Sequence, residues 1–459
     1  MHVAIVGGGV VGTALAAALS DRAEVTLLER GTLGEGTTAA SMAMIHRQQP
    51  APREYDRRLR DLSWARYEPH LDDLTHTRIG SLYVAETEAA AERLPGAART
   101  LTGFGIETEY VDPDELGEFG VEVGIGGLYT PEEGYFEPDE LVERFSARAR
   151  EGGARIETGV EVEGIDPGER VDVETTDGPV TADAVVNAAG PWAPEIDRLV
   201  GLEFPLRHTR GPILSVSSPN PPEPFTLFER GLYCRSHVEG AYVGRLVTDF
   251  AAGERLDPDE PRSVPESFRE EAREFAGAIP ALAKGEVIDE WVGLRTVTPD
   301  GRPLVGETAV EGYFIATGMS GTGVTLAPAV ADLLADRLLG AERDLLEALS
   351  PALRVGFIRS EGGRGGHPWP AEPSSPNGRT TVPTRSPSVA SRRDGSPRRW
   401  QPPSRGARSS SSSTSALTRR SSSARNRRRP TSSCPFRSRP PTPALPRAGP
   451  ASRSGPRRA

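Results

Sequence analysis

Residues 3–20 read VAIVGGGVVGTALAAALS, and the chain continues through a second apolar run, Val25-Thr26-Leu27-Leu28, to Glu29. Three readings compete for this stretch: a secretory leader, an apolar strand and helix with incidental glycines, or a cradle for the phosphates of a dinucleotide. A leader needs a basic segment ahead of its apolar core, and only Met1 and His2 precede Val3. The run is too broken by glycine to cross a bilayer, and no other stretch reaches about 20 apolar residues. A soluble, cytoplasmic protein without a membrane span is expected. The hexapeptide Gly7-x-Gly9-x-x-Gly12 is weak evidence taken alone. With 50 glycines in 459 residues, roughly 0.6 such matches arise by chance. Its context is stronger: a β-rich run His2–Val6, a tight turn, an Ala/Leu helix opening at the last glycine, a second strand, and an acid at its end. The first glycine permits the turn, the second lets backbone approach a pyrophosphate, and the third lets helix and strand pack closely. The helix N-terminus holds the anion. Glu29 is placed to accept from ribose hydroxyls. The fingerprint does not separate NAD from FAD.

The net charge of -11 conceals two regimes. Residues 356–459 carry 22 arginines against Glu361, Glu372 and Asp394, which leaves the preceding 355 residues with a net charge of -30. Lys284 is the sole lysine. An acidic, lysine-poor body suits a salt-rich cytoplasm and argues against nucleic acid or anionic membrane as its partner. Cys234 and Cys434 are the only cysteines, too few for a disulfide framework or a cysteine-based zinc site. The histidines show no ligand spacing, so no metal is expected.

Strand-like and helix-like segments alternate through the body. A polar helical stretch is expected over 52–75 and an amphipathic helix over 138–151, entered by Pro138 and closed at Gly152-Gly153. Strands are expected at 81–85, 106–110, 127–130, 155–158, 160–165 and 171–175, followed by a buried run at 184–190. Antiparallel β is expected over 206–250, a helix over 265–277 and a last helix over 326–339. After about residue 355, Arg, Ser and Pro dominate, and such a composition cannot bury enough surface to offset chain entropy. This tail is expected to be disordered. It reads either as a basic, RNA-binding-like extension or as a GC-rich gene translated in a shifted frame.

The remaining motifs carry a resemblance over residues 2 to about 345. The chain resembles the FAD-dependent oxidoreductases of the D-amino-acid oxidase superfamily, in the branch of glycine oxidase and sarcosine oxidase. Gly36-Thr37-Thr38 and the small residues through Ser41 resemble the loop along the pyrophosphate and flavin. The segments 127–131 and 134–138 resemble the return of the chain to the cofactor domain. Val162 lies in what resembles the adenine-contacting strand, and Val185-Val186-Asn187-Ala188-Ala189-Gly190-Pro191-Trp192 in the second flavin-domain strand and turn. Most specific are Trp291-Val292-Gly293-Leu294-Arg295, Thr298-Pro299-Asp300-Gly301-Arg302-Pro303 and Gly318-Met319-Ser320-Gly321-Thr322-Gly323-Val324-Thr325. The resemblance implies FAD contacts at Gly7, Gly9, Val10, Val11, Gly12, Glu29, Arg30, Gly36, Thr37, Thr38, Ser41, Val162, Ala189, Gly190, Trp192, Gly318, Gly321, Thr322, Gly323, Val324 and Thr325.

It further implies an α/β fold: a Rossmann-like FAD domain (1–78, 137–204 and 288–345) interleaved with an antiparallel substrate domain (79–136 and 205–287), with 346–459 as the tail. The implied reaction is hydride transfer from the carbon bearing an amine to flavin N5, acting on glycine, sarcosine or a D-amino acid. The alternative is a 2-hydroxyacid or glycerol-3-phosphate dehydrogenase of the same superfamily. A more distant alternative is a nucleic-acid-associated protein using the basic tail. Arg295 matches the carboxylate-binding position, since a guanidinium pairs bidentately with a carboxylate; the competing reading pairs it structurally with an acid such as Asp300. Tyr233 matches a substrate-side tyrosine or is a plain strand-core residue. Met44 and His46 fall where relatives place residues over the flavin, with His46 as a base or a structural histidine. Two departures stand out. Residues 319–325 hold no cysteine, so a noncovalent FAD is expected. Lys284 reads as a loop residue, so an oxygen-activating lysine is in doubt, and the electron acceptor is oxygen or another carrier.

Overall fold

The quoted stretch folds as strand, glycine turn and helix. His2–Val6 is fully buried, Val10–Leu19 is helical, and Glu24–Glu29 returns parallel to the first strand. The computed structural model describes residues 1–70 and 74–352. These two strands sit inside a six-stranded sheet with the order 304–307, 313–317, 184–187, 2–6, 24–29, 155–158, parallel throughout except at the first pair. Helices cover a parallel sheet, which is why its central strands read as unbroken apolar runs rather than alternating ones. Val10–Leu19 packs between Pro138–Glu151 and Gly323–Leu338, and so it is apolar nearly all round. Pro138 occupies the first turn of its helix, where a missing N–H costs nothing. At the far end a Cβ on Gly152 would lie 2.2 Å from the Ser20 hydroxyl, so glycine there is set by close packing.

A small antiparallel sheet (162–166, 171–175, 180–182) abuts the six-stranded sheet through Val160, Ile165 and Val173 against Val6 and Leu28. The second large sheet has eight strands in the order 287–297, 207–217, 240–245, 232–237, 225–228, 81–84, 127–130, 109–111. It is antiparallel apart from one pair: Phe225–Phe228 runs parallel to Ser81–Val84. Alternation along these strands divides the side chains between two faces. Leu214, Phe228, Cys234 and Val243 face the helix Glu266–Gly277 through its Phe268, Ala272 and Phe275. Ile213, Tyr233, Tyr242 and Trp291 point the other way, toward Met42, Met44 and Tyr135.

Several expected elements shift. The helix expected over 52–75 is Glu54–Tyr67 followed by a single 3-10 turn. The strand expected at 106–110 forms at Glu109–Val111, and the one expected at 160–165 at Val162–Asp166. The segment Leu94–Gly103, unassigned from sequence, is a helix with Pro95 in its first turn. Packing also continues beyond the boundary drawn at 345: Leu346 and Leu349 are buried in the core on the six-stranded sheet, and the Leu349 carbonyl accepts from the Val305 amide. The Arg/Ser/Pro-rich region from 353 onward lies outside the described residues. Among the described residues, no helix is long and apolar enough to cross a membrane.

Pro328 lies inside the helix Gly323–Leu338. Lacking an N–H, it leaves the Val324 carbonyl without its helical donor. The Tyr67 hydroxyl supplies one at 2.6 Å, from a side chain that is 1% exposed. Tyr67→Phe is therefore expected to strand a buried carbonyl and lower stability by about 1–3 kcal/mol. Chemical denaturation compared with the unmodified chain checks this, and an unchanged midpoint would mean that the carbonyl finds another donor.

Candidate functional site

The glycine turn separates what the protein needs for itself from what it leaves open. Gly7 has φ +110°, and a Cβ there would lie 2.6 Å from the Ala188 carbonyl oxygen. A Cβ on Gly12 would lie 1.9 Å from the Gly7 oxygen. Both glycines are required by the packing of helix on strand. Gly9 is different: its φ of -75° suits any residue, and a Cβ would meet only the Thr38 hydroxyl, at 3.3 Å. The chain's own atoms do not explain why this residue is glycine. At the adjoining helix N-terminus the Val10 amide donates to Thr38 Oγ1 at 3.1 Å. The N–H groups of Gly9, Val11 and Gly12 have no acceptor among the described residues. Unpartnered donors facing a bare glycine fit the pyrophosphate of a dinucleotide.

Glu29, at the end of its strand, already accepts from the Gly8 and Gly31 amides, both at 2.7 Å. A carboxylate has about four acceptor positions, so capacity for ribose hydroxyls remains. Arg30 lies 4.6 Å over the Trp192 ring, and that ring limits Gly36, whose Cβ would lie 3.1 Å from it. Val162 packs with Val6, Leu28 and Ala189. Gly190 takes φ +57°, and its carbonyl accepts from Thr317. These residues gather at the carboxyl ends of the parallel strands, where open α/β sheets bind ligands.

The loop after Gly36 joins this crevice to the second sheet. Thr38 serves the helix N-terminus, while its neighbour Thr37 donates to the Leu294 carbonyl at 3.0 Å. Trp291 Nε1 donates to the Ala40 carbonyl, and a Cβ on Gly293 would touch Ala40 at 3.1 Å. The Ser41 hydroxyl is buried without a partner among the described residues. Ala43 and Ser320 hold φ of +46° and +48°, a strained geometry for side-chain-bearing residues that collects at functional sites. Thr325, in the first turn of its helix, donates to the Met44 carbonyl and accepts from the His46 amide. The glycine block closes on Arg295: Gly321, at φ +86°, would place a Cβ 3.3 Å from Arg295 Cδ. Gly318 takes φ +68°, Thr322 caps back onto the Met319 carbonyl, and Gly323 and Val324 open the helix.

Arg295 and Tyr233 are brought together on the sheet face turned toward this loop. Arg295 donates to the Arg245 carbonyl at 2.9 Å and lies beside Tyr233. Its Nη1 is buried with no partner, and no carboxylate among the described residues pairs with it. Asp300, the acid considered for it, accepts instead from the Thr298 hydroxyl and the Arg302 amide. Burial holds the Arg295 guanidinium below its ordinary pKa, and burial raises Tyr233 against the opposing pull of Arg295. Two glycines make the floor. A Cβ on Gly211 would lie 2.5 Å from Arg295 Nη1, and one on Gly244 would lie 2.3 Å from the Tyr233 hydroxyl. Sequence reading passed over both, although glycine inside a strand signals close approach by another group.

Met44 is buried beside Tyr135, Phe225 and Tyr233. His46 Nδ1 lies 2.9 Å from Glu133 Oε2, with the ring 5.0 Å from Phe225. Glu133, also missed from sequence, is 4% exposed and further accepts from the Arg47 and Gln48 amides. Arg235, unsuspected too, lies 3.8 Å over Tyr135 and donates to the Met42 carbonyl, pinning the loop to the sheet. Lys284 lies elsewhere, lining a shallow surface depression with Ser217, Ser218 and Glu239. Cys234 faces away from Tyr233, and burial pushes its thiol up to about 12.

Comparison with known proteins bears on the same region. The DAO family model, described as FAD dependent oxidoreductase, matches residues 2–337. The glycine oxidase of Geobacillus kaustophilus is 28% identical over 353 residues, covering 73% of this chain and 92% of that one. Its crystal structure superposes with a TM-score of 0.67 at 26% identity, over 76% of this chain and 97% of that one. The mitochondrial dimethylglycine dehydrogenase of Mus musculus is 28% identical over 384 residues; the match covers 75% of this chain but only 43% of that protein. The L-proline dehydrogenase of P. horikoshii shares the fold, with a TM-score of 0.70 at 24% identity over 78% of this chain and 98% of that one.

Proposed function

The chain belongs to the DAO family of FAD-dependent oxidoreductases, and from that premise we propose that it oxidises a small amino acid, such as glycine, sarcosine or a D-amino acid, to the imino acid in the cytoplasm. Residues 1–78, 137–204 and 288–345 carry the cofactor in this reading, and 79–136 with 205–287 form the substrate half. When bound, FAD supplies the acceptor for the substrate's hydride. The observation that carries the proposal is Arg295: a desolvated guanidinium without a carboxylate partner among the described residues, beside Tyr233 and abutting Gly321. A buried cation in this state has a strong requirement for an anion, and a substrate carboxylate meets it with two charge-assisted bonds. Held there, the substrate lies against the face formed by Tyr233, Met44 and His46, with its reacting C–H oriented rather than activated by a strong base. The cofactor is held noncovalently, since residues 319–325 offer no cysteine and Cys234 lies on the opposite sheet face.

One observation favours a second reading, oxidation of a 2-hydroxyacid. A hydroxyl must lose its proton as hydride leaves, and His46, its Nδ1 held by Glu133, is oriented as an acceptor through its other nitrogen. Anaerobic mixing of the holoprotein with matched amino acids and 2-hydroxyacids separates the two. Bleaching of the flavin by amines supports the proposal, and bleaching by hydroxyacids alone selects the alternative.

A further inference from the structure

Three parallel strands end side by side at the nucleotide crevice. Glu24–Glu29 is followed by Arg30, His2–Val6 by the glycine turn, and Ala184–Asn187 by the turn carrying Trp192. The glycine-turn strand is the middle one, so Arg30 and Trp192 follow strands on either side of it, and their side chains meet, with the guanidinium 4.6 Å over the ring. A single residue from outside the nucleotide sheet bonds to both. Asp259 takes both terminal nitrogens of Arg30, one at 3.1 Å and one closer. The same carboxylate accepts from Trp192 Nε1 at 3.0 Å, beneath the guanidinium that lies 4.6 Å over the ring.

Asp259 is delivered by a stiffened loop. At its base, His208 and Glu254 exchange both backbone hydrogen bonds, anchoring the loop to the strand Arg207–Ser217. Further on, Arg262 Nη1 collects the carbonyls of Asp257, Pro258 and Glu260, and the Asp259 amide donates to the Asp257 carboxylate. Arg30 holds the Asp259 carboxyl below the usual carboxylate range, so it stays ionised near neutrality. The chain thus reaches from the substrate sheet to the stacked Arg30 and Trp192 and bonds to both.

We propose that Asp259 is a cofactor-retaining residue, whose bonds to Arg30 and Trp192 close the loop 254–262 over the adenosine end of the bound dinucleotide. The proposal rests on the FAD reading above but not on the identity of the substrate. The clasp is partly exposed, with about half of the Asp259 side chain in contact with solvent. Its bidentate geometry nonetheless favours a measurable contribution.

The test is the release rate of FAD from the full-length holoprotein, followed by flavin fluorescence after dilution into an excess of a flavin-scavenging apoprotein. Asp259→Asn is expected to release FAD roughly 3- to 10-fold faster, and Asp259→Glu to restore part of the difference. Trp192→Phe, which keeps the ring and loses the N–H, should also speed release, by a smaller factor. Salt at 1 M, where the Debye length is about 3 Å, should accelerate release from the unmodified protein and have little effect on Asp259→Asn. The melting temperature of the apoprotein should be the same for Asp259→Asn and the unmodified chain. Equal release rates would overturn the clasp, and so would faster release accompanied by a matching loss of apoprotein stability. An unmodified protein that retains no flavin at all would instead overturn the FAD reading itself.

Discussion

Gly9→Val is expected to yield a folded protein that retains no flavin. The backbone at this position suits a residue with a side chain, and a Cβ there meets only the Thr38 hydroxyl, at 3.3 Å. The apoprotein should therefore melt near the temperature of the unmodified apoprotein. The space it fills is the approach of a pyrophosphate to the unpartnered amides of the turn, where added side-chain atoms exclude the ligand. Absorbance of the purified variant and its thermal melt together check this. Retained flavin would mean that the cradle lies elsewhere. Gly12→Val is the informative contrast: its Cβ would collide with the Gly7 carbonyl, so it should lose the fold along with the cofactor.

Arg295→Lys should keep FAD bound while kcat/KM for the best carboxylate substrate falls roughly 10- to 150-fold, about 1.5–3 kcal/mol of transition-state binding. Lysine conserves charge but not the planar fork. The site is shaped for the fork: Gly211 leaves room for the guanidinium to lie flat on its strand, and the Arg245 carbonyl fixes one edge. A flexible ammonium has no equivalent seat. Steady-state kinetics alongside flavin content decides the matter, and an unchanged kcat/KM would make Arg295 structural and place the carboxylate anchor elsewhere.

The parts of this molecule that could be read from sequence are those in which one local rule decides the outcome. The strand, turn and helix of residues 2–19 follow from glycine spacing beside an apolar run. The helix Pro138–Glu151 begins and ends where proline and paired glycines place its limits. The strand boundary expected at 106 slipped because Ile106 packs against Leu94 and Leu101 of a helix that the sequence reading left unassigned. What could not be read depends on strand register and long loops. Arg295 meets Tyr233 because four strands stack in one alignment, which no local pattern specifies. Glu133 looks like one of two acids in a solvated turn, yet it is buried against His46 Nδ1 and under the amides of Arg47 and Gln48. Asp259 sits in a loop of proline and charge that resembles any surface excursion. Its partners, Arg30 and Trp192, were singled out for the cofactor, but nothing in the sequence joins them to it.

Anaerobic reduction of the holoprotein by one amino acid and by its carboxamide, observed in the flavin band at about 450 nm, shows whether Arg295 holds the substrate through its carboxylate. Both compounds carry the same amine and the same reacting C–H, and only the amino acid offers Arg295 a carboxylate. The amino acid is expected to bleach the flavin at least about 10-fold faster than the carboxamide, and acid precipitation should then release FAD intact into the supernatant. Equal rates for the two compounds would rule out Arg295 as the carboxylate anchor, and a flavin that no amino acid bleaches would rule out amino-acid oxidation.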